Sequence, residues 1–153
     1  MVQGNSSSAI TVLIADDHDW ARRSYRDILE SESGLRVVAE ACSGREAVEK
    51  AAVCGPGVVL MDISMPEMNG MEATRVLQQR YPEIEVLILT VHCSVELVKE
   101  AFHAGARGYL LKTDADTELI PAVRSVGQHQ TYVARQLRRP MGIADASPDA
   151  TEH

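Results

Sequence analysis

Acidic, hydroxyl and basic residues stand directly after four separate apolar runs of this 153-residue chain. Asp16 and Asp17 follow the first run, and Asp62 follows the third. Thr90 ends the fourth run, and Lys112 comes directly after the fifth. Carboxylate, hydroxyl and ammonium groups are the side chains with which proteins bind a divalent cation and stabilise a phosphoryl group in transfer.

The three carboxylates of this set are expected to need a cation. Carboxylates that are brought together repel one another and do not all ionise without one. A small number of oxygen ligands is typical of Mg²⁺, which keeps several waters and binds phosphate oxygens. A carboxylate beside Mg²⁺ can also attack a phosphoryl group and form an acyl phosphate. Lys112 would neutralise charge on the group in transfer, and Thr90 would donate a hydrogen bond to it.

Each of these residues has an ordinary structural interpretation when it is taken alone. Asp16 or Asp17 could cap a helix. Asp62 could be a loop carboxylate, Thr90 a strand-end hydroxyl and Lys112 a solvated surface charge. It is improbable that all of these interpretations hold at once, because the residues stand at the ends of different apolar runs.

The runs themselves have the pattern of buried parallel strands. They cover residues 10–15, 35–39, 58–61, 86–89 and 108–111, and they are rich in Val, Ile and Leu with almost no internal polar residue. Stretches with helical spacing lie between them, which predicts a parallel sheet with helices on both faces. Ligands of such sheets bind at the carboxyl ends of the strands, where the candidate residues stand.

The composition is typical of one globular domain that does not bind nucleic acid directly. The net charge is −7, and an acidic chain repels nucleic acid. The three cysteines are odd in number and lack metal-ligand spacing, which is typical of a reducing cytosol. We find no signal-peptide pattern and no apolar stretch long enough to cross a membrane, so we expect a cytoplasmic protein without a membrane partner.

Four segments of the chain, in this order along the sequence, match the motifs of a known protein family. They are Val-Leu-Ile-Ala-Asp-Asp-His, Val-Val-Leu-Met-Asp-Ile-Ser-Met-Pro-Glu-Met-Asn-Gly, Val-Leu-Ile-Leu-Thr and Ala-Gly-Ala-Arg-Gly-Tyr-Leu-Leu-Lys. Over about residues 10–126 the chain resembles the CheY-like receiver domain of two-component response regulators, in the NarL/FixJ (LuxR-type) subgroup. The resemblance implies an α/β, flavodoxin-like, doubly wound sheet of five parallel strands in the order 2-1-3-4-5, with five helices.

The resemblance also implies a role for each acidic residue. Asp62 matches the phosphoacceptor, which receives a phosphoryl group from a sensor histidine kinase in a Mg²⁺-dependent reaction. Asp17 matches the direct metal ligand, and Asp16 matches the acid that often acts through water. Ser64 matches the residue whose backbone carbonyl binds the metal.

Three further matches concern the response to phosphorylation. Thr90 matches the switch hydroxyl, and Tyr109 matches the aromatic residue that turns inward when that hydroxyl moves. Lys112 matches the ammonium group that contacts the phosphoryl group. Two departures from the family pattern leave local geometry and any homodimer interface open: Thr113 stands where many receivers have proline, and Pro121 falls inside the last helix.

The sequence divides into a disordered segment 1–9, a receiver domain 10–130 and a linker or tail 131–153. Members of the subgroup usually continue into a DNA-binding helix-turn-helix domain. The chain is therefore either a piece of a longer regulator or a natural single-domain receiver, and Arg138-Arg139 with the loose tail favour the first. We expect signalling that controls transcription through another domain, with no enzymatic turnover beyond the domain's own phosphorylation and dephosphorylation.

Three other functions compete with this interpretation. A phosphatase with an aspartyl nucleophile usually carries a second Asp two residues later, where this chain has Ser64. An adaptor that works without phosphorylation would tend to have lost one of the acidic, hydroxyl or lysine positions. A DNA-binding regulator in its own right is opposed by the negative charge.

Overall fold

The computed structural model describes residues 9–144. Apart from Ala9, the predicted disordered N-terminal segment lies outside this range, as do the last nine residues of the chain. The described strands are β1 (Ile10–Ala15), β2 (Leu35–Ala41), β3 (Val58–Met61), β4 (Glu85–Thr90), β5 (Gly108–Leu111) and β6 (Tyr132–Val133). The helices are α1 (Asp19–Glu30), α2 (Gly44–Cys54), α3 (Gly70–Arg80), α4 (Val95–Ala104), α5 (Ala115–Gly127) and α6 (Arg135–Arg138), and a 3₁₀ turn over Lys112–Asp114 precedes α5.

All strand pairs of the sheet are parallel, and the order is β2-β1-β3-β4-β5-β6. Alternate side chains of the strands point to opposite faces and form two cores. One core packs against α2, α3 and α4, and the other packs against α1 and α5. The predicted doubly wound, flavodoxin-like parallel sheet is confirmed, and its carboxyl ends form one rim.

The predicted number of strands is wrong, because within residues 9–144 the sheet has six strands and is followed by a sixth helix. β6 extends the sheet beyond β5, where Tyr109 pairs with Val133. The buried carboxylate of Glu118 in α5 accepts from the Tyr132 hydroxyl at 2.6 Å and from the Arg135 backbone N–H at 3.2 Å. This acid fixes the segment after α5 against the sheet edge.

The last long helix continues across its proline. α5 spans Ala115–Gly127 with Pro121 inside it and exposed. Proline removes one backbone donor but leaves the buried face of the helix intact. That face, with Leu119 and Val123 fully buried, keeps α5 on the sheet. No helix within residues 9–144 is both long enough and apolar enough to span a membrane.

Candidate functional site

The carboxyl rim of the sheet brings the predicted residues together from different strands. Asp16 directly follows β1, Asp62 directly follows β3, and Thr90 is the last residue of β4. Backbone bonds continue the ladder past the strand ends, because Asp16 N donates to Ala41 O and Asp62 N donates to Ala15 O, each at 3.0 Å. The two carboxylates are therefore held on adjacent strands at the same height.

Lys112 lies between these two carboxylates. Its Nζ is 2.8 Å from Asp16 Oδ2 and 3.4 Å from Asp62 Oδ2. The side chains are mostly buried, with 15% of Lys112, 2% of Asp16 and 8% of Asp62 exposed. Because water is largely excluded here, these charges interact more strongly than they would at the surface.

Burial and neighbouring charge act against each other on these groups. Burial raises the pKa of Asp62, and the nearby Asp16 carboxylate adds to that effect, while Lys112 opposes it. Burial alone would lower the pKa of Lys112, but its bond to Asp16 and the charge of Asp62 outweigh burial and raise it. Lys112 is therefore held as a cation, and the Asp62 carboxylate is more basic than an exposed aspartate.

Asp17 and His18 complete the acidic side of the rim. His18 Nδ1 lies 3.2 Å from Asp17 Oδ1 and 3.3 Å from Asp16 Oδ1. One ligand atom from each of these three residues lies within 4.8 Å of the others. The carboxylate oxygens of Asp16 and Asp17 in this set are the ligands that a hard divalent cation such as Mg²⁺ prefers. The residues present thus fit the predicted metal.

The alternative that Asp16 or Asp17 caps α1 finds no support. His18 holds the N-cap position, and its side chain makes no capping bond within the described part of the chain. Asp16 Oδ1 instead accepts from His18 N at 2.9 Å. His18 directly follows the acidic pair in the first motif, but its residue type alone predicts no role at the site.

The loop after Asp62 is held close to the backbone of Asp62 and Ile63. Ser64 is exposed in this loop. Gly70 N donates to Ile63 O at 2.8 Å, and a Cβ at Gly70 would lie 2.1 Å from Asp62 O. Since no real Cβ approaches a carbonyl so closely, the contact requires glycine. α3 begins there with a capping box between Asn69 and Glu72.

Thr90 and Tyr109 meet through the backbone of His92. His92 N donates to Thr90 Oγ1 at 3.2 Å, and the Tyr109 hydroxyl donates to His92 O at 2.7 Å. Thr90 is 1% exposed and Tyr109 is fully buried, so the aromatic ring already points inward in this structure. Both predicted switch residues therefore contact the loop between β4 and α4.

Buried carboxylates, an ammonium group and an acidic cluster on one rim are the arrangement of a phosphoryl-accepting class of domain. Residues 12–124 match the response regulator receiver domain family, which is well over half of the chain. The chain belongs to this family. Receiver domains bind Mg²⁺ at an acidic pocket and interact with sensor kinases.

Two curated relatives agree with this assignment. The chain is 40% identical over 143 residues to the response regulator UvrY of Escherichia coli K12, which covers 94% of this chain and 66% of UvrY. It is 44% identical over 129 residues to the transcriptional regulatory protein DegU of Brevibacillus brevis, which covers 84% of this chain and 54% of DegU. The predicted NarL/FixJ subgroup is confirmed. The chain spans just under two thirds of UvrY and about half of DegU.

A solved structure supports the same fold. The crystal structure of a LuxR-family two-component response regulator from Aurantimonas sp. SI85-9A1 superimposes with a TM-score of 0.84 at 31% sequence identity. The match covers 88% of this chain and 96% of that chain.

Proposed function

We propose that this domain accepts a phosphoryl group on Asp62 from a sensor histidine kinase, in a Mg²⁺-dependent reaction. The observation that carries the proposal is the Asp62 carboxylate, which is 8% exposed and lies 3.4 Å from Lys112 Nζ at the strand rim. A surface acid would have neither the burial nor the fixed ammonium partner. The neighbouring carboxylates of Asp16 and Asp17 supply the acidic site that the cation needs.

In the proposed transfer, Asp62 is the nucleophile and Lys112 stabilises the transferred group. An Asp62 carboxylate oxygen attacks phosphorus and forms an acyl phosphate bond, while the bond from phosphorus to the donor's imidazole nitrogen breaks and the electron pair leaves with that nitrogen. Lys112 neutralises charge on the transferred group and stays oriented through Asp16. Asp16, Asp17, Asp62 and the Ser64 backbone carbonyl would hold Mg²⁺, which would neutralise phosphoryl oxygens. Hydrolysis of the acyl phosphate by water returns the domain to its initial state.

The switch follows from the two contacts on His92. A phosphoryl group adds about 1.5 to 2 negative charges at neutral pH. The Thr90 hydroxyl would turn to donate to a phosphoryl oxygen, and its contact with His92 N would change. Because the Tyr109 hydroxyl contacts His92 O, the loop carries the change to the aromatic residue. A coupling of about 1–3 kcal/mol is typical of such transitions.

The process that the phosphorylated domain controls is inferred from the relatives of this chain. UvrY is a response regulator and DegU is a transcriptional regulatory protein, and both are longer than this chain. We infer that the phosphorylated domain controls transcription through a DNA-binding domain, in the cytoplasm, with a homodimer as one route of control. The division into a receiver domain over residues 10–130 and a linker or tail over residues 131–153 stays a prediction, and β6 of the sheet lies in the second part.

Asp62→Asn tests the acceptor assignment. We expect wild type to gain the mass of one phosphoryl group after treatment with acetyl phosphate and Mg²⁺, and Asp62→Asn to gain none while it remains folded. The matched control is Asp116→Asn, because Asp116 is an exposed acid in the first turn of α5. Full labelling of Asp62→Asn would show that another residue is the acceptor, and sustained phosphate release from a generic ester would indicate a phosphatase instead.

A further inference from the structure

The first turn of α1 holds an arginine that contacts the backbone of the acidic site. The Arg22 side chain is 13% exposed and uses all three guanidinium nitrogens. Nη1 donates to Asp16 O at 2.5 Å, Nε donates to Glu40 Oε1 at 2.9 Å, and Nη2 donates to Asp19. The guanidinium group therefore joins the loop after β1 to strand β2 and to α1 itself.

The carbonyl that Arg22 contacts belongs to the peptide between the two acids of the proposed metal site. Asp16 N is already held by Ala41 O of β2 at 3.0 Å. With Arg22 on its carbonyl, both backbone groups of Asp16 are fixed. The plane of the Asp16–Asp17 peptide sets the direction in which the two side chains leave the backbone. A free peptide here could rotate and carry Asp17 away from the rim.

Glu40 provides Arg22 with a fixed anchor. Its second oxygen accepts from Arg26 Nε at 2.7 Å, and its backbone O accepts from Lys50 Nζ at 2.6 Å. Burial alone would raise the pKa of Glu40, but the bonds from Arg26 and Arg22 outweigh burial and lower it. A planar guanidinium fork between fixed acceptors holds a more exact geometry than a flexible ammonium group would.

We propose that Arg22 is a positioning residue of the phosphorylation site, which fixes the Asp16–Asp17 peptide so that both carboxylates face the cation and Asp62. This inference rests on the proposed function of the site. Charge alone predicts the opposite effect, because removing a cation beside a cluster of acids strengthens the binding of a divalent ion. The sign of the change therefore distinguishes positioning from charge.

Arg22→Met in the full chain is the test. We expect Mg²⁺ binding to weaken about tenfold, the size typical of a lost outer contact to a metal site, and labelling by acetyl phosphate to slow. Mg²⁺ binding can be followed by the fluorescence of Trp20, the chain's single tryptophan, whose ring centroid lies 5.8 Å from that of His18. Labelling is followed by intact mass as a function of Mg²⁺ concentration, which separates affinity from maximal rate.

Arg26→Met is the matched control. Arg26 also donates to Glu40 and lies one turn further along α1, but its other contact is Glu30 at 3.2 Å rather than the Asp16 carbonyl. We expect this variant to weaken Mg²⁺ binding and labelling clearly less than Arg22→Met does, because Glu40 keeps its contacts with Arg22 and Lys50. Arg22→Lys keeps the charge without the fork, and we expect it to behave like Arg22→Met. Should Arg22→Met fail to fold, Arg22→Lys decides by the same two measurements.

Each outcome separates the inference from the proposed function. If Arg22→Met binds Mg²⁺ as tightly as wild type or more tightly, or if Arg22→Lys behaves as wild type does, positioning by Arg22 is refuted. If Arg26→Met weakens binding as much as Arg22→Met, the contact with the Asp16 carbonyl is not the cause, and the inference fails as well. If wild type itself neither binds Mg²⁺ nor takes a phosphoryl group, the proposed function fails instead.

Discussion

Lys112 is shared unequally between the two buried carboxylates of the rim. Its Nζ donates to Asp16 at 2.8 Å and lies 3.4 Å from Asp62, so its stronger bond is to the residue that is not the proposed nucleophile. The oxygens of Asp62 therefore interact more weakly with Lys112 and remain available to react. A carboxylate that burial has made more basic, with its cation close but not tightly bonded, is suited to attack phosphorus.

Gly70 lies too close to the Asp62 backbone to be replaced by a residue with a side chain. A methyl group there would lie 2.1 Å from the Asp62 carbonyl, and backbone cannot yield as a flexible side chain can. We expect Gly70→Ala to lower the free energy of unfolding by about 1–3 kcal/mol, as overpacking does, and to slow labelling of Asp62. Chemical denaturation and intact mass after acetyl phosphate treatment measure the two effects.

Gly57 is the matched control for Gly70, because it precedes the other end of the same strand, β3. A Cβ at Gly57 would meet Thr11 O at an ordinary 3.5 Å. Gly57→Ala is therefore expected to label normally. Wild-type stability and labelling in Gly70→Ala would contradict the close contact with the Asp62 backbone.

A buried acid of α5, Glu118, helps to hold β6 and α6 against the sheet. Glu118 is 3% exposed, and its Oε1 accepts from both the Tyr132 hydroxyl and the Arg135 N–H. Burial and the adjacent Glu118 carboxylate raise the pKa of Tyr132, so its hydroxyl remains a donor. Ala134 N also donates to Tyr109 O at 2.8 Å, which places β6 directly on the strand that carries the proposed switch residue.

Glu118→Ala should therefore loosen this segment selectively. The change leaves a buried hydroxyl and a backbone N–H without their acceptor, which costs about 1–3 kcal/mol. We expect faster amide hydrogen exchange over residues 132–138, with β1 and β3 unchanged. Glu118→Gln, which keeps an acceptor oxygen, is expected to exchange much more nearly like wild type. Unchanged protection over residues 132–138 in Glu118→Ala would show that apolar packing alone holds the segment.

The sequence predicts the first five strands well, because a strand buried on both faces is a continuous apolar run. It does not predict β6, since Tyr132 and Val133 are too few for a period, and their docking depends on an acid 14 residues earlier. The rim residues are predictable because parallel strands bring their carboxyl ends together. The role of Arg22 is not, because Glu40, its partner, lies 18 residues away on another strand.

The rim holds several acids in a protein whose net charge is already −7. Such a chain gains stability from every contact that keeps charge from accumulating in its interior. Tyr109 is fully buried, and its neutral hydroxyl donates a hydrogen bond to His92 O, so it adds no charge to the interior. Ionisation of this tyrosine would place a negative charge inside the core and remove that donor.

Tyr109 should therefore contribute to the loss of stability in alkaline solution. Burial, aided by the nearby Cys93, raises its pKa from about 10 to about 12. Between these values the unfolded chain releases the proton while the folded protein keeps it, so stability is intact below pH 10 and falls as the pH rises towards 12. A difference of this size corresponds to about 2–3 kcal/mol. The free energy of unfolding measured in denaturant from pH 9 to pH 12 should show this decline.

Tyr109→Phe isolates that contribution from the other groups that titrate in the same range. The variant lacks the bond to His92 O and is expected to be about 0.5–1.5 kcal/mol less stable than wild type at pH 9. Because phenylalanine does not ionise, its decline towards pH 12 should be shallower, and the difference between the two proteins should shrink or reverse. Tyr81→Phe, at a partly exposed tyrosine, is the control and should follow the wild-type curve. Parallel curves for wild type and Tyr109→Phe would mean that the buried hydroxyl does not hold its proton as the structure requires.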